Sequence, residues 1–425
     1  MGVVGWGMMG PGNTKAFLDQ PDCQVVAACD LDKNHLEQAV NTVNKHYGNQ
    51  DCKAYHDYRE MIARPDIDAV MLAVPDHWHA LVAIEAAKHR KDIYGEKPLA
   101  RTIAEQQAIV MAVQKNRRIW QAGSWQRSEQ NFHYTAEIVR NGLLGKITRV
   151  EVGLPSGHTD FAKTGRPLLE KLASFGVTDL GKVMPGTPAW NAAVTDVPPQ
   201  FDYDFWIGPS QSMPYIEARV HKNWRWNYNT GGGQLLDWIG HHCDIAHWGL
   251  GNDDQIGPLE VEGAGEFPPA DAIWNTCTKY RVTARYPNDI TMIIAGGHLD
   301  IRSGTKWIGT DGWVWVNRGN AFESSNATLE DGRRLSEAQR KVRLPFTTGK
   351  KDGHYRNFLD SVKSRQPTVA PVEVAHHSAI PGHLGLISML VGRKIKWDAQ
   401  KEVIVGDTDA SKLLSRGYRA PWKLG

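Results

Sequence analysis

Gly2-Val3-Val4-Gly5-Trp6-Gly7-Met8-Met9-Gly10 joins a short apolar run, a G-x-G-x-x-G spacing and the start of a helical pattern. In such a turn the first glycine permits the tight bend and the second lets backbone approach a pyrophosphate. The third lets helix and strand pack closely. The pyrophosphate then lies at the positive end of a helix. In a glycine-rich chain the spacing alone is a weak signal, and its surroundings give it weight. A second apolar run ends at Asp30, where a carboxylate can accept hydrogen bonds from an adenosine ribose and repel a 2′-phosphate. Leu31, Asp32 and Lys33 follow with no arginine, so NAD is favoured over NADP. The first strand is short. The chain shows no signal peptide, which fits a cytoplasmic protein as it stands, or a periplasmic one if an export leader preceded Met1.

Outward from the glycine turn, residues 2–5, 24–29, 69–74, 92–94 and 119–122 read as apolar strands separated by helical stretches. This alternation predicts a parallel sheet covered on both faces, a Rossmann-type dinucleotide-binding domain over residues 1–122. Residues 123–425 are expected to form a second α/β domain. Its runs at 147–152, 259–265, 278–286, 290–295 and 313–316 are β-rich, several with period-2 alternation, as in a large, mostly antiparallel open sheet. Residues 154–232 are rich in Gly, Pro, Trp and Asn and are expected to be an ordered wall of the active site. The C-terminal tail returns to helix.

The bulk properties are those of a globular chain with a sizeable core: 425 residues, 41% hydrophobic and 23% charged. A net charge of +2 gives no electrostatic case for nucleic acid or a membrane surface, and no apolar run is long enough to span a bilayer. The five cysteines are scattered, without a C-x-x-C pair, so neither a disulfide framework nor a metal site is expected.

Four further clusters bear on chemistry. Pro75, Asp76, His77 and His79 follow an apolar strand at the carboxyl edge of the first sheet, where ligands bind, and are candidate cofactor contacts; Asp76 can equally cap the following helix. Glu96-Lys97-Pro98 follows another strand, and a lysine beside a nicotinamide can hold a substrate hydroxyl and stabilise oxyanion character. Within Gly231–Asp244, Asp237 and His241 are spaced i, i+4 and share a helix face, pairing a proton acceptor with a carboxylate, although a buried polar ladder would look the same. Trp125-Gln126-Arg127 and Trp224-Arg225-Trp226 offer stacking faces and guanidinium donors suited to a polyhydroxylated ring; core packing is the alternative for the tryptophans.

Taken together, the glycine loop, Asp30, Glu96-Lys97-Pro98 and the Asp237/His241 pair resemble the glucose–fructose oxidoreductase / inositol dehydrogenase / MocA family in order and approximate spacing. The resemblance runs through the tail, including Gly392–Asp398 and Arg419-Ala420-Pro421-Trp422. It implies a Rossmann domain followed by an open-sheet domain, NAD as cofactor, a sugar, glycoside or cyclic polyol as substrate, and a homodimer or homotetramer. It further implies that Lys97 and His241 handle protons while Asp237 positions the sugar. Some relatives are redox-neutral glycosidases or lyases, so that activity is the alternative, with a non-catalytic NAD- or sugar-binding protein a third. The sequence departs from the family pattern in placing its glycine at Gly240, directly before His241, and in duplicating the imidazole at His242.

Overall fold

The computed structural model describes residues 1–251, 257–329, 335–347 and 353–424. Its first layer is a six-stranded sheet of β1 (Gly2–Val4), β2 (Ala27–Cys29), β3 (Lys53–Tyr55), β4 (Ala69–Leu72), β5 (Asp92–Gly95) and β6 (Trp120–Ala122). All pairs are parallel, in the order β3-β2-β1-β4-β5-β6. The strand order reverses between β1 and β4, and the crevice at the carboxyl ends of such a pair is where ligands bind. Gly5 and Pro75 stand at that crevice, just beyond these two strands. Helices between the strands cover both faces, as parallel sheets require. One of them, Lys33–Tyr47, starts where Asp32 Oδ1 accepts from the Asn34 N–H at 2.8 Å and stops at Gly48, whose φ is +67°. A cap of this kind contributes about 1 kcal/mol.

β3 was not foreseen. Lys-Ala-Tyr at a sheet edge is largely exposed and carries no apolar run, so its strand state comes from pairing with β2 and not from local pattern.

The second sheet has nine strands in the order β13-β12-β11-β7-β10-β9-β8-β14-β15. They are β7 (Ile147–Leu154), β8 (Glu260–Glu266), β9 (Lys279–Arg285), β10 (Thr291–Gly296), β11 (Gly304–Gly309), β12 (Gly312–Asn317), β13 (Ala321–Ser324), β14 (Ile395–Asp398) and β15 (Val403–Ile404). Every pair is antiparallel except β7 with β10. Alternation sets the buried face: Tyr280, Val282 and Ala284 point inward and Arg281, Thr283 and Arg285 outward. The inward side chains pack on the helices Gly233–Leu250 and Val372–Val391, with Leu236, Ile239, Cys243 and Ile380 in one core with Val150, Val152 and Trp307. β11, β13, β14 and β15 were not read as strands, being short or interrupted by Gly and Lys.

Residues 154–232 are ordered by two small aromatic cores of their own, one around Trp190, Trp226 and Trp274 and one around Phe201, Trp206 and Trp224. Residues 200–202 then run against the first sheet. Phe201 forms an antiparallel bridge with Asp32, Lys33 N–H donates to Gln200 O at 2.9 Å, and Asp202 N–H donates to Leu31 O at 3.1 Å. Among the described residues, no helix is long and apolar enough to cross a membrane.

Candidate active site

A cleft with about 990 Å³ of open space runs from the glycine turn to the junction of the two sheets. Gly5, Gly7, Met8, Met9, Asp30, Pro75, Glu96 and Lys97 line its first wall, and Phe201, Trp206, His221, Lys222, Trp224 and Arg225 line the second.

The glycine turn has the shape a pyrophosphate needs. Gly5 has φ +92°, and a Cβ there would sit 2.4 Å from Ala73 O; a Cβ on Gly10 would sit 2.2 Å from Gly5 O. Both positions are filled by neighbouring backbone. Gly7 differs, since a Cβ there would meet no atom within 4 Å and would project into open space. The helix Gly10–Leu18 begins at once, and its N-cap residue Met9 lines the cleft. Gly7→Val is therefore expected to fold normally but lose dinucleotide binding, measured by NADH fluorescence. Unchanged affinity would remove the glycine turn from the site.

Asp30 is half-buried, and the loss of solvation raises its carboxyl above the usual range. Its Oδ2 accepts from Trp6 N–H at 2.7 Å and its Oδ1 from Asp32 N–H at 2.9 Å, so it braces the glycine turn as well as facing the cleft. Each oxygen retains a second lone pair for a ribose hydroxyl. Glu96 is held by Asn13, whose amide donates to Oε1 at 2.8 Å, and Asn13 is held by the Tyr355 hydroxyl at 2.7 Å. The pocket and the donor set fit a bound dinucleotide.

At the other end, the Lys97 ammonium lies 3.1 Å from Asp237 Oδ1 and donates to the Asp237 carbonyl at 3.0 Å. Arg225 Nε donates to the same Oδ1 at 2.8 Å, and its guanidinium stacks on Trp224 at 4.3 Å. Burial alone would raise the Asp237 carboxyl; the charges of Arg225 and Lys97 outweigh it and hold the group at about 2. Asp237 is thus an anion at any working pH. Asp237 and His241 lie one turn apart on Gly233–Leu250, with the His241 ring edge-on to Trp238 at 5.2 Å and 6.5 Å from Trp125. A Cβ on Gly240 would come within 3.0 Å of Lys97 Cβ, so the displaced glycine is what lets the lysine lie against this helix.

His242 is fully buried, with Nδ1 3.3 Å from the Gln126 amide, and burial beside Arg318 depresses its pKa to about 3. It is a neutral core residue, which leaves His241 on the face of Asp237; both of these are buried just behind the cleft lining, which Lys97 and Arg225 supply.

Several expected contacts fall elsewhere. His77 and His79 do not line the cleft: their Nε2 atoms lie 2.9 Å from the carbonyls of Trp206 and Val74. Asp76 neither caps its helix, where Pro75 takes the cap position, nor lines the cleft. Gly10 closes the turn by packing. Trp226 is wholly buried, with its indole N–H on Thr159 O and its ring stacked on Phe161. Gln126 is buried between His242 and Arg318. Arg127 makes a bidentate ion pair with Asp244 at 2.8 and 3.0 Å, away from the cleft. The expected sugar contacts at Gln126, Arg127 and Trp226 are therefore replaced by structural roles, because each side chain is spent on a buried partner.

Other residues at the site carried no signal in the sequence. Arg318, at the end of β12, is sandwiched between Trp125 and Trp238 at 4.6 and 4.5 Å. His35 and His221 meet edge-on across the cleft at 5.0 Å, and His56 Nε2 lies 2.8 Å from Asp202 Oδ2. All four contacts depend on distant segments meeting.

Residues 1–124 match the family profile described as an oxidoreductase family NAD-binding Rossmann fold, and residues 185–424 match that of the oxidoreductase family C-terminal alpha/beta domain. The chain belongs to the Gfo/Idh/MocA oxidoreductase family. Its two matched parts are that family's NAD-binding Rossmann fold and its C-terminal alpha/beta domain. It is 30% identical over 147 residues to an inositol 2-dehydrogenase of Salmonella paratyphi B, covering 34% of this chain and 42% of that protein. It is 31% identical over 162 residues to a glycosyl hydrolase family 109 protein of Shewanella woodyi, covering 36% and 33%. The aligned stretches thus span well under half of either relative. A crystal structure of the aldose–aldose oxidoreductase of Caulobacter crescentus, complexed with glycerol, superposes with a TM-score of 0.63 at 16% identity, covering 93% of this chain and 98% of that one.

Proposed function

We propose that this family member oxidises a secondary hydroxyl, or reduces the corresponding ketone, of a sugar, glycoside or cyclic polyol, with C3 of a glycoside the leading position. The observation that supports this reading is that Lys97 and Arg225, which line the same cleft as the glycine turn, both bond the Asp237 carboxylate behind them. Lys97 donates to the substrate oxygen and stabilises its developing negative charge. His241 takes the hydroxyl proton on a ring nitrogen. Asp237, ionised and held from two sides, accepts from a neighbouring hydroxyl, and Trp224 offers an apolar face to the ring. NAD, when bound, supplies the hydride acceptor. Asp30 favours NAD, so NADP is expected to bind at least about tenfold more weakly in paired fluorescence titrations; equal affinities would count against that assignment.

The closure of residues 200–202 over residues 31–33 favours a second reading, a redox-neutral glycosidase or lyase that keeps its dinucleotide through turnover. A panel of sugars and glycosides followed at 340 nm, with product analysis, separates the two. NADH with a keto product supports the dehydrogenase, and cleaved glycoside without NADH supports the redox-neutral route. Inertness toward every carbohydrate would refute both.

A further inference from the structure

Three side chains at the cleft come together without a hydrogen bond to account for it. Asp32 and His35 stand at the start of the helix Lys33–Tyr47, and His221 comes from the other wall, at the head of the turn His221–Trp226. His221 Nε2 lies 3.6 Å from Asp32 Oδ2, beyond hydrogen-bond reach, and the two imidazoles meet edge-on at 5.0 Å. Among the described residues neither ring makes a hydrogen bond. Asp32 is held from its other side: Oδ1 accepts from the Asn34 N–H at 2.8 Å, which orients the carboxylate and leaves Oδ2 toward His221. His221 takes a φ of +49°, which residues with a Cβ rarely adopt, and its ring packs on Phe201 at 5.1 Å. Phe201 bridges in turn to Asp32. One carboxylate oxygen and one nitrogen from each ring all lie within 4.8 Å of one another.

We infer that Asp32, His35 and His221 form a binding site for a divalent transition-metal ion of the zinc class. Around a tetrahedral ion with bonds of about 2.1 Å, donor atoms stand about 3.4 Å apart. The 3.6 Å between His221 and Asp32 is close to that spacing, and the other separations close by small rotations of two half-buried imidazoles. Two nitrogens and one oxygen suit Zn²⁺ and its first-row neighbours, whereas Ca²⁺ and Mg²⁺ take oxygen ligands. Asp30 Oδ1, 3.8 Å from His35 Nδ1, puts a further carboxylate beside one of the rings, the usual outer-shell arrangement of a ligating histidine. Three protein ligands leave a coordination position for water or for an oxygen of a molecule in the cleft. An ion held there ties residues 154–232 to the first sheet's layer, next to the Asp32–Phe201 bridge. The site shares no residue with Lys97, Asp237 and His241 and stands whatever reaction they perform.

The decisive measurement is a titration of the whole protein, first treated with a chelator, with Co²⁺ followed by visible absorption and with Zn²⁺ followed by calorimetry. The parent is expected to bind one ion per chain with micromolar or tighter affinity and to show the strong d–d absorption of a low-coordinate Co²⁺. Zn²⁺ should raise its thermal midpoint, because an ion held only by the folded state stabilises it. His221→Asn removes the imidazole with a residue that tolerates the left-handed backbone. Together with His35→Ala, it should weaken binding by more than about 100-fold, the upper end for loss of an outer-shell partner. Asp32→Asn keeps the helix cap and should weaken binding by about tenfold or more. No saturable binding by the parent, the weak spectrum of an octahedral aqua ion, or parental affinity in both histidine variants each overturns the inference. Lost NADH affinity in both histidine variants, with no metal bound by the parent, would assign the imidazoles to the nucleoside and overturn it too. Should His221→Asn fail to fold, the His35→Ala comparison decides alone.

Discussion

Lys97→Met is expected to lower kcat on any oxidised sugar by roughly 10²- to 10⁴-fold, with NADH affinity near the parental value. Methionine keeps the length and apolar body of the lysine stem, so packing against Gly240 survives. The carboxylate of Asp237 retains the bond from Arg225 at 2.8 Å, which spares the helix an unpaired buried charge. What disappears is the ammonium at the end of the cleft, the one donor the scheme aims at the substrate oxygen. Steady-state kinetics with saturating dinucleotide, beside a fluorescence titration of NADH, checks both halves. Parental turnover in this variant would end the proposed mechanism.

Arg127→Ala is expected to destabilise the fold by about 3–5 kcal/mol, the cost of stranding a buried charge. Its guanidinium and the Asp244 carboxylate are 2% and 1% exposed, and the pair joins the turn after β6 to the helix that carries Asp237 and His241. The guanidinium also stacks on Trp248 at 5.1 Å and donates to Val369 O at 3.3 Å, so the loss reaches the segment that leads into Val372–Val391. Chemical denaturation of parent and variant measures it. A loss below about 1 kcal/mol would place the pair among ordinary solvated ion pairs. Because the aspartate is the stranded partner, replacing both residues with apolar ones of similar volume should recover much of the stability.

The two layers of the fold were legible because periodicity and glycine placement are local properties. The strand at 69–74 is a continuous apolar run and that at 92–95 is buried throughout, as a sheet covered on both faces requires, and the second sheet shows the alternation of a one-faced sheet. β3 and β13 were not legible, because exposed edge strands take their state from a neighbour. At the site, the meeting of the Lys97 segment with the helix of Asp237 followed from motif order, while the direct Lys97–Asp237 ion pair did not. The direction of a side chain did not follow. Trp224 and Trp226 stand two residues apart in one Trp-Arg-Trp run, yet one lines the cleft and the other is a core residue, since the six-residue turn that carries them rotates their rings apart. Arg318 was invisible for a related reason: its partners, Trp125 and Trp238, come from two other segments.

The backbone pairing between Gln200–Asp202 and Leu31–Lys33 has a consequence for how chains of this fold can diversify. Of those residues Leu31 and Phe201 line the cleft beside Asp30, and the two segments include none of Lys97, Asp237 or His241. On the proposed function, cofactor residence time and hydroxyl chemistry would be set by separate parts of one chain. On that reading, changes around Phe201 or the His56–Asp202 contact are expected to alter dinucleotide retention with the reactive groups left untouched.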